Sequence, residues 1–247
     1  MRTPIFILLM AMAITASAQL IFPPHAADIT FYHSFDNGAE ADLSLGGVKV
    51  DWQNGNIKFG DGLRGGKALV CGAGGGLLRF NRKNTLDFDR PGTLVLFYRP
   101  FGWEEQATQK LQRMFMWGIE SSKGYIGIQG ANDPKSLCMN DREFHLMFLY
   151  GARIPSATYC IPPPGAAGRD GWHMVALTWA GAEYAFKWDH RPLLKFTHPM
   201  PVKDSDFPCP VFSIGTSSAW NYLLDDVIIY KRRLSNDELD AILSAAF

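Results

Sequence analysis

Beyond its first residues the chain lacks an apolar run of the roughly 20 residues that a bilayer-spanning helix requires. Charge of neither sign is in excess, with Lys plus Arg and Asp plus Glu at 24 each. A chain so balanced has no electrostatic footprint for nucleic acid or an anionic membrane surface. Catalytic and metal motifs are also missing. The four cysteines include no C-x-x-C pair, and the six histidines show neither H-E-x-x-H nor H-x-H spacing. There is no G-x-S-x-G elbow. Nor is there an E-x-D-x-x-E or E-x-D-x-E run, which would set acidic side chains on one face of a strand as glycoside hydrolysis needs. Asp87-Phe88-Asp89 has the right i, i+2 spacing, but Arg90-Pro91-Gly92 follows at once and makes it a loop.

What is present begins with an export signature. Arg2 supplies positive charge, residues 4–14 form a short apolar core, and Ala16-Ser17-Ala18 gives a small-x-small cleavage site before Gln19. Residues 1–18 are therefore expected to be a signal peptide, 19–27 a linker and 28–247 a single domain, in a protein that is secreted or periplasmic. No cysteine follows the cleavage site, which argues against a lipid anchor. An even number of cysteines in an exported chain suggests two disulfides, with three connectivities open. The favoured pairs are Cys138–Cys160 and Cys71–Cys209, with buried free thiols as the alternative. Closing a loop as long as the first would contribute about 3 kcal/mol.

From Ile29 onward, short apolar runs alternate with Gly, Pro, Asn and Asp. Ile29-Thr30-Phe31-Tyr32-His33-Ser34-Phe35 alternates and stops at Asp36-Asn37-Gly38. Strands are predicted there and over 93–99, 114–119, 125–129, 144–150, 172–179, 184–188, 212–215 and 223–230. Many short strands without alternating helices predict two packed antiparallel sheets. The glycine run at 72–76 precedes the strand-like Leu77-Leu78-Arg79-Phe80, so it reads as a hairpin turn and not a phosphate loop. One helix is expected at the C-terminus. Ser235 and Glu238 have capping-box spacing, Leu234 and Leu239 suit a hydrophobic staple, and Leu239, Ile242 and Leu243 form one stripe. Residues 121–169 read as strands interrupted by long loops.

Three segments resemble the laminin G-like and concanavalin A-like lectin-glucanase jelly-roll family. These are Phe31-Tyr32-His33-Ser34-Phe35-Asp36, the W-H-x-V-A-x-T strand beginning at Trp172-His173, and the closing run from Leu224-Asp225-Asp226-Val227 to Leu234-Ser235. The resemblance implies an all-β jelly-roll sandwich with a short C-terminal helix. It also implies a calcium ion bound by Asp225, which matches the signature's aspartate, with Asp36 at the end of the neighbouring strand. Calcium takes six to eight oxygens, so carbonyls and water would complete the set. The alternative is that Asp225 only accepts loop amides. The family's Asp-Gly turn is replaced here by Asp189-His190-Arg191-Pro192, so that turn is expected to be longer or of another type.

Seven tryptophans invite a carbohydrate-binding reading, because flat aromatic faces stack on pyranose rings. Trp117, Trp172 and Trp179 fall in strand patterns and suit the core. Trp103 and Trp220, with polar loop neighbours, are the stronger ligand candidates, and Trp52 is a third. The sequence reading is a secreted, non-catalytic module recognising a glycan or an extracellular protein, with no nucleic-acid partner and no membrane span. A polysaccharide hydrolase or lyase on the same fold, and a structural subunit of an extracellular assembly, stay open.

Overall fold

The computed structural model describes residues 22–101, 111–117, 125–131, 144–149, 157–161, 171–206, 209–217 and 221–247. The expected signal peptide and residues 19–21 of the expected linker therefore lie outside the described residues, as do Trp103, Trp220 and Cys138.

The chain forms two antiparallel sheets and one C-terminal helix, a β-sandwich. The first sheet contains β1 (Ile29–His33), β2 (Leu43–Ser44), β4 (Phe59–Asp61), β5 (Lys67–Cys71), β7 (Gly92–Pro100), β12 (His173–Ala180), β13 (Glu183–Trp188), β14 (Leu194–Thr197) and β16 (Tyr222–Tyr230). Its main order is β14-β13-β12-β7-β16-β1-β2, with β5 also on β16 and β4 on β5. The second sheet contains β3 (Trp52–Gly55), β6 (Gly76–Asn81), β8 (Leu111–Trp117), β9 (Tyr125–Ala131), β10 (Phe144–Leu149), β11 (Ala157–Ile161) and β15 (Val211–Gly215). Its order is β11-β10-β9-β8-β15-β6-β3.

Strand alternation explains the two layers of core. Along β7, Leu94, Leu96 and Tyr98 point between the sheets, where Phe31, Phe80 and Phe212 meet edge to face or stacked. Val95 and Phe97 point the other way, with Met174, Ala176 and Ile228, onto helix α1 (Asn236–Ala246). The helix presents Leu239, Ile242 and Leu243, the stripe expected from the sequence. Its Ser235–Glu238 capping box is formed reciprocally, as expected. Arg232 bridges Asp28 and Glu238 at 2.6 and 2.7 Å and ties the helix start to the beginning of the domain. Lys187 is fully buried beneath α1. Its ammonium donates to the Arg191 carbonyl and Asn236 Oδ1 and pairs with Asp240 at 3.0 Å, so its charge is satisfied.

β16 pairs with β1 over 227–230, so both ends of the domain join one sheet. The glycine run is not a hairpin turn. It carries the chain from β5 in the first sheet to β6 in the second. Gly75 donates to the Gly72 carbonyl, and a Cβ on Gly75 would lie 2.5 Å from the Val70 carbonyl oxygen, so only glycine fits this reversal. The 189–193 turn is long, as expected. Asp189 accepts from the Met174 amide at 2.7 Å and pairs with His173 Nδ1 at 2.8 Å. His173 is thus a structural tie.

The Cys71–Cys209 disulfide is not formed: both thiols are free. Cys71 points into the core beside Gly215, where an added Cβ would lie 3.0 Å from its sulfur. Cys209 precedes Gly215 by the length of β15, roughly 20 Å at the strand rise, whereas a disulfide needs Cα atoms within about 7 Å. Burial pushes the Cys71 thiol up to about 12, so it stays protonated and inert. Of the expected Cys138–Cys160 pair, Cys160 lies in β11 and Cys138 falls outside the described residues.

Two substitutions test this architecture. Phe31→Ala, at the centre of the inter-sheet cluster, is expected to cost about 3–5 kcal/mol in urea unfolding. Ser235→Ala, which removes one capping bond, is expected to cost about 1 kcal/mol and lower the melting temperature by a few degrees.

Candidate functional site

In the second sheet, β3 is the edge strand and is exposed throughout. Trp52 pairs directly with Arg79 of β6, and the guanidinium lies over the indole at 4.0 Å from the ring centroid. Arg79 Nε in turn donates to Ser213 Oγ at 3.3 Å. The burial of β6 alternates, with Leu78 and Phe80 inward and Arg79 and Asn81 outward, so Trp52 belongs to the outer face. The residue is 42% exposed although held by a cation–π contact. Register continues the row from Ser213 to Met116 of β8 and Gly127 of β9. Of the three tryptophans singled out as ligand candidates, Trp52 is the one within the described residues, and it sits on a strand where its ring is oriented.

A second cluster lies where β16 changes partner. Along one edge, 222–224 pair with β5, while 227–230 pair with β1. Asp225 and Asp226 fall at the change, in a bulge against β7, and Asp226 takes φ +43°, a strained left-handed conformation. Simple strand alternation would send these neighbours to opposite faces. The bulge instead leaves both carboxylates buried beneath the 62–66 turn. Asp225 Oδ2 accepts the Leu63 amide at 2.7 Å and its Oδ1 accepts the Asp226 amide at 2.7 Å. Asp226 Oδ1 accepts from Tyr32 Oη at 2.7 Å and from Arg64 at 2.8 Å. Arg64 also lies 3.8 Å over the Phe22 ring. Burial, then the neighbouring Asp226 carboxylate, raises the Asp225 acid above the usual range, and burial raises Asp226 despite Arg64.

Asp36 and Asp225 do come together, as the sequence implied. With Ser34, Arg64 and Gly66 they line a recess of about 210 Å³. Asp36 Oδ1 accepts the Lys67 amide at 2.7 Å, and a Cβ on Gly66 would overlap that oxygen. The donors are hard oxygens, which suit calcium in kind. Among the described residues, however, no three His, Cys, Asp or Glu side chains converge on one metal position. Two carboxylates are thus the protein's acidic share, and carbonyl and water oxygens would have to supply the rest. Tyr32, Arg64 and Asp226 were not legible as site residues, because only the bulge and the β4–β5 turn bring them to the aspartates.

His33 positions the start of this loop. Its Nε2 faces the Ala39 carbonyl at 3.1 Å and its Nδ1 accepts the Phe35 amide at 3.0 Å, which assigns the neutral Nε2–H tautomer. The ring stacks on Phe35, which has φ +62°. Burial lowers its pKa from 6.5 to about 4. A depressed histidine stabilises the fold above pH 6.5 and loses that contribution as pH falls toward 4, about 3 kcal/mol in all. The raised carboxyls of Asp225 and Asp226 work in the opposite sense: their contribution holds in acid and is lost as pH rises. Urea unfolding between pH 7.5 and pH 4 is therefore expected to show a steeper loss of stability on acidification in the wild type than in His33→Gln. Parallel profiles would remove His33 from this role.

No protein-family model matches the chain, and no curated protein matches it. Solved structures do match. The binding domain of botulinum neurotoxin DC in complex with SialylT superposes with a TM-score of 0.64 at 11% identity, over 89% of this chain and 51% of that one. The same toxin's binding domain in complex with rat synaptotagmin II gives 0.64 at 11%, over 90% and 52%. Domain 4 of AbnA, an extracellular arabinanase from Geobacillus stearothermophilus, in complex with arabinotriose, gives 0.58 at 17%, over 87% and 98%. The chain spans about half the length of the toxin binding domains and nearly all of the arabinanase domain. At these identities the likeness is one of fold.

Proposed function

We propose that this chain is an exported, non-catalytic glycan-recognition module of the laminin G-like type, with residues 1–18 as its export leader. The observation that carries the reading is Trp52, a large aromatic left exposed on the edge strand and held in orientation by Arg79. An indole fixed in this way offers a pyranose ring a stacking surface at small entropic cost. Asn54, two residues along the edge strand and on the same face, holds the Gly55 amide with its carbonyl and donates to Ser217 Oγ, which leaves one exposed amide hydrogen for a sugar hydroxyl. Fold-level support comes from the arabinanase domain in complex with arabinotriose and the toxin domain in complex with SialylT. Calcium is the accessory part of the proposal. Asp36 and Asp225 would hold it at the rim, where its charge relieves their mutual repulsion and fixes the loop after β1.

A glycan array is expected to show binding that weakens at least tenfold in Trp52→Ala and less in Trp52→Phe. Binding indifferent to Trp52→Ala would remove the platform. Calorimetric titration of the chelated protein with calcium is expected to give heat and a raised melting temperature, both lost in Asp225→Asn. An absence of both in the wild type would remove the ion and leave the platform standing.

A further inference from the structure

The opposite rim of the sandwich from the aspartate cluster holds a larger recess, of about 580 Å³, within the size range of small-ligand sites. It lies between the end of β6 with its following loop, the start of β7 and the end of β16. Its charge differs from that of the whole chain. Arg82, Lys83, Arg90 and Lys231 line it against two acids, Asp87 and Asp204, whereas the chain as a whole is neutral. Both acids are already committed. Asp204 is paired with Arg82, whose Nε also donates to the Cys209 carbonyl at 2.7 Å, and accepts the Phe88 amide at 3.1 Å. Asp87 faces Arg90 at 3.5 Å and accepts the Asp89 amide at 2.8 Å. Lys83 and Lys231 are exposed, and among the described residues neither ammonium has an acidic partner. The two cations left over face the recess.

Its other walls suit a sugar ring. Leu45, 56% exposed, gives an apolar surface on the lip, and the Asn84 amide, with no side-chain bond among the described residues, can serve hydroxyls. Asn81 lines the recess and follows Arg79 by two residues on the outward face of β6, about 7 Å along the strand. The recess is thus one strand pleat beyond the Trp52 platform.

We propose that this recess is a subsite for an anionic saccharide unit, with Lys83 and Lys231 holding its carboxylate or sulfate. It continues the track that starts at Trp52, and so it rests on the glycan reading. The two long ammonium side chains act as mobile point charges and read charge without demanding planar geometry. Arg82, paired with Asp204 and bonded to the Cys209 carbonyl, fixes the floor.

The experiment titrates the full chain with three probes: an oligogalacturonate, a heparin-derived oligosaccharide and a neutral arabino-oligosaccharide. At about 50 mM salt, one acidic probe is expected to bind at least tenfold more tightly than the neutral one, with the advantage shrinking by about 500 mM. The preferred acidic probe identifies carboxylate or sulfate as the anchored group. Lys83→Ala combined with Lys231→Ala alters two exposed side chains and is expected to remove the advantage of the acidic probe while leaving neutral binding unchanged. Equal affinity for all three probes, or a double variant that binds the acidic probe as the wild type does, overturns the subsite and leaves the Trp52 reading intact. Binding of no saccharide overturns both.

Discussion

On the edge away from β7, β16 cannot serve one neighbour along its whole length, and much of the molecule follows from that. Its first residues pair with β5 and its last with β1, so the strand must pass a gap where neither partner supplies hydrogen bonds. Asp225 and Asp226 occupy the gap. Their carboxylates accept from the Leu63 and Asp226 amides, the Tyr32 hydroxyl and Arg64, doing with side chains what a ladder would do with backbone. Burial without those donors would be prohibitive, which is why the 62–66 turn and the loop after β1 close over this point.

Burial on both faces is the second constraint. β7 and β16 lie in the middle of the first sheet, with the other sheet on one side and α1 on the other. Such strands read as nearly continuous apolar runs, as Thr93-Leu94-Val95-Leu96-Phe97-Tyr98 does. The helix covers what would otherwise be an exposed apolar face, and buried Lys187 places one satisfied charge beneath it.

Among the described residues, two regions carry the proposed saccharide contacts. The Trp52 face is an outward sheet surface, and the recess bordered by Lys83 and Lys231 lies at a rim. Neither requires movement of the core. In the proposed function the sandwich is a scaffold, and recognition depends on side chains whose replacement leaves the inter-sheet packing untouched.

By itself, the amino-acid sequence determined the class of the fold, the strands of the first sheet's centre and the C-terminal helix with its capping box. These depend on local periodicity and on contacts a few residues apart. It also indicated that Asp36 and Asp225 belong together and that Trp52 could present its ring. Short edge strands such as β2, β3 and β4 were not legible, because exposed residues carry no alternating burial signal. Only the tertiary structure decided that the glycine run links two sheets, that Cys71 and Cys209 lie a strand length apart, and that Arg64 and Tyr32 reach Asp226. Each of these is set by which strands lie side by side, and that is fixed by packing between segments distant in the chain.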